Sequence, residues 1–277
     1  MSAAFTSVNA ALVAPVPSPS ATTAGKREPW VLPKSANGDA KTVHGSLRPQ
    51  IVAYPTVVTA SAAETVFLLD VDNTLLDNDT LTEDLRRHLI DVFGVDCQRR
   101  YWDIFEARRR ELGYADYLGA LQRYREEHAR DPQVLGVSLF LLQYPFRDRV
   151  YARAFDAIAA LRQRGPVVIL SDGDVVFQPY KIDRAGLWAA VESHVLIYVH
   201  KEQMLDDVEQ RYPARHYVMV DDKLWILEAM KRIWGHRLTT IFIRQGHYSR
   251  ESRVNASQPA DLAIDSIGEL VDLARTL

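Results

Sequence analysis

The stretch Val66 to Leu76, VFLLDVDNTLL, constrains the fold of this chain more than any other. Its apolar run, Val66 to Leu69, is too short for a helix and fits a strand buried on both faces. Asp70 ends the run, and Asp72, Asn73 and Thr74 follow in a sharp polar turn. In open α/β sheets, ligands gather at the carboxyl ends of strands. Two carboxylates at such a place cost free energy unless they have a task. In extended backbone Asp70 and Asp72 point to the same side, because side chains alternate with a period of two, so one site can use both. A turn that merely leaves a strand uses the same residue types, and the other strand ends decide between the two readings.

Strand and helix alternate from there. Thr80 opens a helix, with Glu83 three residues on in a capping-box pattern. Leu81, Leu85, Leu89 and Phe93 follow at helical spacing, and Gly94 ends it. Arg99–Leu112, Tyr114–Ala129 and Pro132–Tyr144 read as three more helices. Residues 80–145 therefore form an all-helical block, long enough to bury a small core of its own, inserted after the first strand. Asp148–Arg164 is helical up to Gly165-Pro166, and Val167–Leu170 is a buried strand ending in Ser171-Asp172-Gly173-Asp174. Helices at 176–185, 202–212 and 224–234 then separate strands at 194–199, 216–220, 238–243 and 262–264, and a helix from Ser266 closes the chain. Repeated β-then-α units specify an α/β fold, a doubly wound parallel sheet with helices on both faces, built from residues 64–79 and 146–277.

Residues 1–63 differ. Ala, Pro, Ser and Thr dominate with no sustained amphipathic period, which reads as a disordered or loosely packed tail. Ala10 to Val16 is mildly apolar, but the first basic residue is Lys26, which argues against a secretory signal. The net charge of −3 gives no general attraction to nucleic acid, and no apolar run has the length of a membrane span, so neither is expected as a partner and the cytoplasm is the expected location. Cys97 is the sole cysteine, which excludes an intrachain disulfide and reads as a packing residue.

Four of the apolar strands end in DVDNT, SDGD, HK and DDK. In a parallel sheet these ends line one crevice, which collects Asp70, Asp72, Ser171, Lys201, Asp221 and Asp222. Each ending alone has an ordinary explanation as a polar turn or a solvated lysine; all four in this order are much harder to obtain by chance. The set resembles the haloacid dehalogenase (HAD) superfamily of phosphatases, whose four motifs match in order at Asp70–Thr74, Ser171, Lys201 and Asp221-Asp222. The resemblance runs from about Thr65 to the C-terminus, and residues 80–145 lie where one subclass carries its helical cap. It implies a Rossmann-like doubly wound sheet with Asp70 on the central strand.

The resemblance implies roles for these residues. Asp70 is the expected nucleophile, giving an aspartyl-phosphate. Asp72 is the expected general acid for the leaving alcohol and then the base for water. Thr74 steadies Asp72 or Asp70 by a hydrogen bond. Ser171, with the backbone N–H groups around Asp172 and Gly173, holds phosphoryl oxygens, and Lys201 neutralises Asp70 and the phosphate. The metal ligands are Asp70, Asp221, Asp222 and the backbone carbonyl of Asp72. At about 4 Å and an effective dielectric of about 20, each like-charge pair among these acids and a phosphate costs roughly 4 kcal/mol. Lys201 alone does not offset that, whereas a divalent cation does, and an all-oxygen set suits Mg²⁺. After the acidic pair comes Lys223-Leu224-Trp225, so no further acid follows closely, and which of Asp221 and Asp222 is the inner ligand stays open.

The substrate side is less determined. Tyr101, Trp102, Phe105, Tyr114, Tyr117 and Tyr124, with Arg99, Arg100 and Arg108 to Arg110, are either a helical core with a basic solvated face or a pocket for a planar group and an anion. The run ELGYADYLGALQRY resembles the cap of pyrimidine nucleotidases, which points to a nucleoside monophosphate; sugar phosphates and phosphorylated organic acids are the other small metabolites in play. His194, His200 and His216 have no zinc-ligand spacing to another His or Cys. A carboxylate at Asp72 favours phosphate over halide as the leaving chemistry. A phosphoryl transferase or mutase, a haloacid dehalogenase and a non-catalytic phosphate-binding regulator are the alternatives.

Overall fold

The computed structural model describes residues 62–249 and 259–277. Apart from its last two residues, the N-terminal tail of the sequence reading lies outside them. Six strands, β1 (Ala63–Leu69), β2 (Val167–Asp172), β3 (Val195–Tyr198), β4 (Ala214–Asp221), β5 (Leu238–Ile243) and β6 (Leu262–Ile264), form one sheet in the order β3-β2-β1-β4-β5-β6. Every pairing is parallel. The order reverses at β1, which puts the carboxyl end of that strand at the crevice where α/β sheets bind ligands.

Alternate residues of each strand serve opposite faces. Phe67, Leu69, Val167, Ile169, Val218 and Val220 enter one apolar cluster, while Val66, Leu68, Val168, Leu170, Tyr217 and Met219 enter the other. Both faces are therefore dry, as parallel sheets require. The first face takes α5 (Ala154–Arg162) and the closing helix α10 (Leu270–Leu273); the second takes α8 (Leu205–Arg211) and α9 (Leu224–Trp234).

Between β1 and β2 the chain inserts α1 (Asn78–Phe93), α2 (Val95–Leu112), α3 (Tyr117–Glu127) and α4 (Val134–Gln143). The start of α1 corrects the expected capping box. Asp77, not Thr80, caps the helix: its Oδ1 accepts from Thr80 N at 2.9 Å and its Oδ2 from Thr80 Oγ1 at 2.6 Å. Asp is at least as strong a cap as Thr and, three residues earlier, takes the Thr80 N–H where a Thr80 cap would have taken that of Glu83. Gly94 ends the helix at φ 83°, as expected. The insertion has no separate core. Its buried Leu85, Tyr101 and Tyr124 join the cluster on the first face of the sheet. Phe146 and Phe177 carry the packing across, stacking edge-on at 5.9 Å, with Tyr117 and Tyr144 against them.

The insertion leaves and rejoins the sheet at one place. Leu76 pairs with Val150 in an antiparallel bridge, Asp77 N donates to Arg149 O at 2.8 Å and Tyr151 N to Leu75 O at 2.9 Å. That stem, and the left-handed Arg153 at φ 63°, is why the expected helix from Asp148 begins only at Ala154. After β2 come α6 (Phe177–Arg184) and the short α7 (Leu187–Ala190). No described helix is long and apolar enough to cross a membrane.

Candidate active site

The strand ends converge. Asp70 follows β1, Asp221 ends β4 and Asp222 follows it, and all three are buried. One carboxylate oxygen from each lies within 4.8 Å of the others, the single metal-competent group among the described residues. Lys201, in a short 3₁₀ turn after β3, reaches into it with its Nζ 2.5 Å from Asp70 Oδ1, 2.7 Å from Asp221 Oδ2 and 3.3 Å from Leu170 O. Asp222 has no hydrogen-bond partner on either oxygen, and Asp70 has none on Oδ2. Buried carboxylate oxygens left unpaired cost free energy unless a cation takes them. Hard oxygen donors at this spacing fit a small divalent ion such as Mg²⁺.

A second lysine, which the sequence reading noted without a role, belongs here. Lys223 lines the cavity above the carboxylates. Burial opposes its charge, but Asp70, Asp222 and Asp221 outweigh that and hold its pKa well above the ordinary lysine value. Burial likewise opposes the charge of Lys201, and Asp221 and Asp70 raise it. Burial lifts Asp70, yet Lys201 and Lys223 prevail and keep it below the usual aspartate range. Asp221 is pushed up to about 6 and Asp222 well above its ordinary value, chiefly by burial. With Asp172, two cations face four acids, a deficit of positive charge that protons or a metal ion can fill.

Asp72 and its neighbours depart from expectation. β1 ends at Leu69, so strand alternation does not govern Asp72, and the two acids engage different lysines. Asp72 Oδ1 lies 2.5 Å from Lys181 Nζ on α6, and Asp72 Oδ2 accepts weakly from Gln178 Nε2 at 3.4 Å. Gln178 also donates to Ser171 Oγ at 2.9 Å. Thr74 steadies neither acid. The N–H groups of Thr74, Leu75 and Leu76 all close on Val71 O, a turn that leaves the Thr74 hydroxyl buried and without a partner. Gly173 N–H is not open to a phosphoryl oxygen either, since it donates to Tyr198 O at 2.9 Å. What Gly173 admits is Gln178: a Cβ there would stand 2.6 Å from Gln178 Cβ and Cγ. Asp172 Oδ1 accepts from Lys201 N at 2.8 Å, which fixes the lysine backbone, and burial raises its carboxyl.

Above this floor lies a cavity of about 950 Å³ bounded by the insertion on one side and the strand ends on the other. Trp102, Phe105, Tyr114 and Tyr117 line it with Arg86 and Arg109. Tyr101 and Tyr124 are instead core residues, and Arg99, Arg100 and Arg108 are spent on Asp96, Glu127 and Asp116. His200 lines the cavity, whereas His216 pairs with Thr239 and His194 packs on Tyr212. A wall that no motif announced is His247 and Tyr248, which follow Gly246 after β5. His247 N donates to Asp79 Oδ2 at 2.7 Å, and its Nδ1 lies 2.5 Å from Asp79 Oδ1. Asn73 Nδ2 also reaches Asp79, at 3.0 Å, so this wall is tied to the turn that carries Asp72.

The family model of haloacid dehalogenase-like hydrolases matches residues 65–233. A haloacid dehalogenase-like hydrolase from Burkholderia xenovorans is 60% identical, with a TM-score of 0.73 over 76% of this chain and 98% of its own. A HAD hydrolase from Bacillus subtilis, solved bound to magnesium, is 17% identical, with a TM-score of 0.51 over 77% of this chain and 99% of its own. The L-2-haloacid dehalogenase of Xanthobacter autotrophicus is 15% identical, with a TM-score of 0.53 over 77% of this chain and 99% of its own. At such identities the last two share the fold alone. No curated protein matches the chain.

Proposed function

Because the chain belongs to the haloacid dehalogenase-like hydrolases, we propose that this hydrolase cleaves the phosphomonoester of a small metabolite through a phosphorylated Asp70. The observation that carries this reading is Asp72, a carboxylate at the cavity two residues from Asp70 and held by its own lysine. A departing halide needs no proton, whereas a departing alkoxide does, so a positioned acid is wasted on a haloacid.

Asp70 attacks phosphorus as the bond to the leaving oxygen breaks, and Asp72 gives that oxygen its proton. Water then attacks that phosphorus, Asp72 takes a proton from it, and the bond from phosphorus to the Asp70 oxygen breaks, releasing phosphate and restoring the carboxylate. Lys201 holds the Asp70 carboxylate ionised and in line. Lys223 offers a cation to the incoming phosphoryl group. Asp70, Asp221, Asp222 and the Asp72 carbonyl would hold Mg²⁺, which when bound neutralises charge developing on the phosphoryl oxygens. Trp102, Phe105 and Tyr114 suit a planar group, and Arg109, whose Nε lies 3.6 Å from Glu106 at the cavity, can exchange that acid for a further anion, which favours a nucleoside monophosphate over sugar phosphates and phosphorylated organic acids.

Release of 4-nitrophenol from 4-nitrophenyl phosphate with Mg²⁺, its loss in EDTA, and a panel of phosphorylated metabolites test the reading. Chloride release from a 2-chloroacid without phosphate turnover would replace it by the dehalogenase reading.

A further inference from the structure

Two lysines are fully buried among the described residues, Lys201 and Lys181. Lys201 serves Asp70. Lys181, on α6, stands clear of the carboxylate cluster and has one acidic partner, Asp72, at 2.5 Å, with Asn78 Oδ1 at 3.3 Å. Burying an ammonium is costly, and an apolar residue beside Ile182 would fill the same space without that cost. Gln178 lies one turn earlier on the same face of α6 and ties Asp72 Oδ2 to Ser171 Oγ. Gly173 is the residue whose lack of a side chain makes room for that glutamine.

We propose that Lys181 is a positioning residue for Asp72, pinning Oδ1 so that Oδ2 meets the leaving-group oxygen. The assignment rests on the phosphatase reading. In the first half-reaction the proton on Asp72 Oδ2 passes to the leaving oxygen as its bond to phosphorus breaks. The carboxylate left behind is neutralised in place by Lys181, which transfers nothing itself. In the second half-reaction the same oxygen takes a proton from the attacking water. Gln178 holds Oδ2 loosely enough, at 3.4 Å, to yield it to substrate.

The readout is dependence on the leaving group, which a merely structural lysine does not move. An alkyl phosphate needs the acid, whereas 4-nitrophenyl phosphate releases a stable phenolate. Lys181→Ala should lose about 10²-fold in kcat on the alkyl ester and less than about 5-fold on the nitrophenyl ester, with KM little changed. Added methylammonium should restore the alkyl-ester rate in Lys181→Ala, and Lys181→Arg should retain most of it. Should Lys181→Ala not fold, Lys181→Met and Gln178→Leu carry the same comparison, each expected to lose more on the alkyl ester. Equal losses on the two esters, or a change in KM alone, overturn the assignment while the phosphatase reading stands. Wild-type protein that hydrolyses neither ester overturns both.

Discussion

Lys201 Nζ lies 2.5 Å from Asp70 Oδ1, joining two residues 131 positions apart at the carboxyl end of the central strand. Asp70→Asn keeps the shape of that side chain and leaves Lys201 paired with Asp221. Turnover should vanish, while circular dichroism and the melting temperature stay near those of the wild type. Lys201→Met strands Asp70 and Asp221 without their shared cation, so it should cost about 3–5 kcal/mol in denaturant unfolding, far more than the asparagine variant.

Asp72→Asn tests the proton transfer apart from the nucleophile. Steady-state kinetics should show a loss of about 10²-fold or more on alkyl phosphates. Chloride release from 2-chloropropionate should not rise, because halide departure never called on the acid.

Removing Mg²⁺ should have an effect that depends on pH. Burial pushes Asp221 up to about 6, above its unfolded value near 3.8. Without metal the folded state therefore binds an extra proton between those values, a stabilisation present below about pH 4 and lost as pH rises through 6. Protons and the cation compete for the same oxygens. The rise in melting temperature produced by Mg²⁺ should be largest near pH 7.5 and shrink toward pH 5, as read by differential scanning fluorimetry with and without EDTA.

Gly246 adopts φ 66°, and a Cβ there would stand 2.4 Å from both Cβ and Cγ of Asn73. Gly246→Ala combines a left-handed backbone penalty of about 1–2 kcal/mol with that clash. The denaturant midpoint should fall, and KM should rise as the His247–Asp79 wall is pushed from the turn that carries Asp72. Unchanged KM would mean that the wall does not contact substrate.

Much of this arrangement was legible from residue order. Apolar runs four to eight residues long that stop at DVDNT, SDGD, HK and DDK define the parallel sheet and bring Asp70, Lys201, Asp221 and Asp222 together, because burial on both faces and a common strand direction leave little freedom. Helix α6 was opaque for the opposite reason. Gln178 and Lys181 read as the polar face of an amphipathic helix, and their spacing does not say that the face looks inward at Asp72. Gly173 suggests a backbone open to a phosphoryl oxygen, whereas the space it leaves is taken by Gln178, a neighbour set by how α6 folds back over it. Thr80 and Asp77 both qualify as helix caps, and local pattern alone does not rank two good caps three residues apart. Gly246-His247-Tyr248 matches no motif, since its use depends on a turn some 170 residues upstream.

The stem at Leu76 and Val150 gives the backbone modularity. Departure and return of the helical excursion are hydrogen-bonded neighbours, so a short turn across about 5 Å would close the gap left by its deletion. The covalent route through the insertion is thus a single detour, while its apolar side chains stay merged with those of the sheet, so excising the detour would bare Phe177 to water.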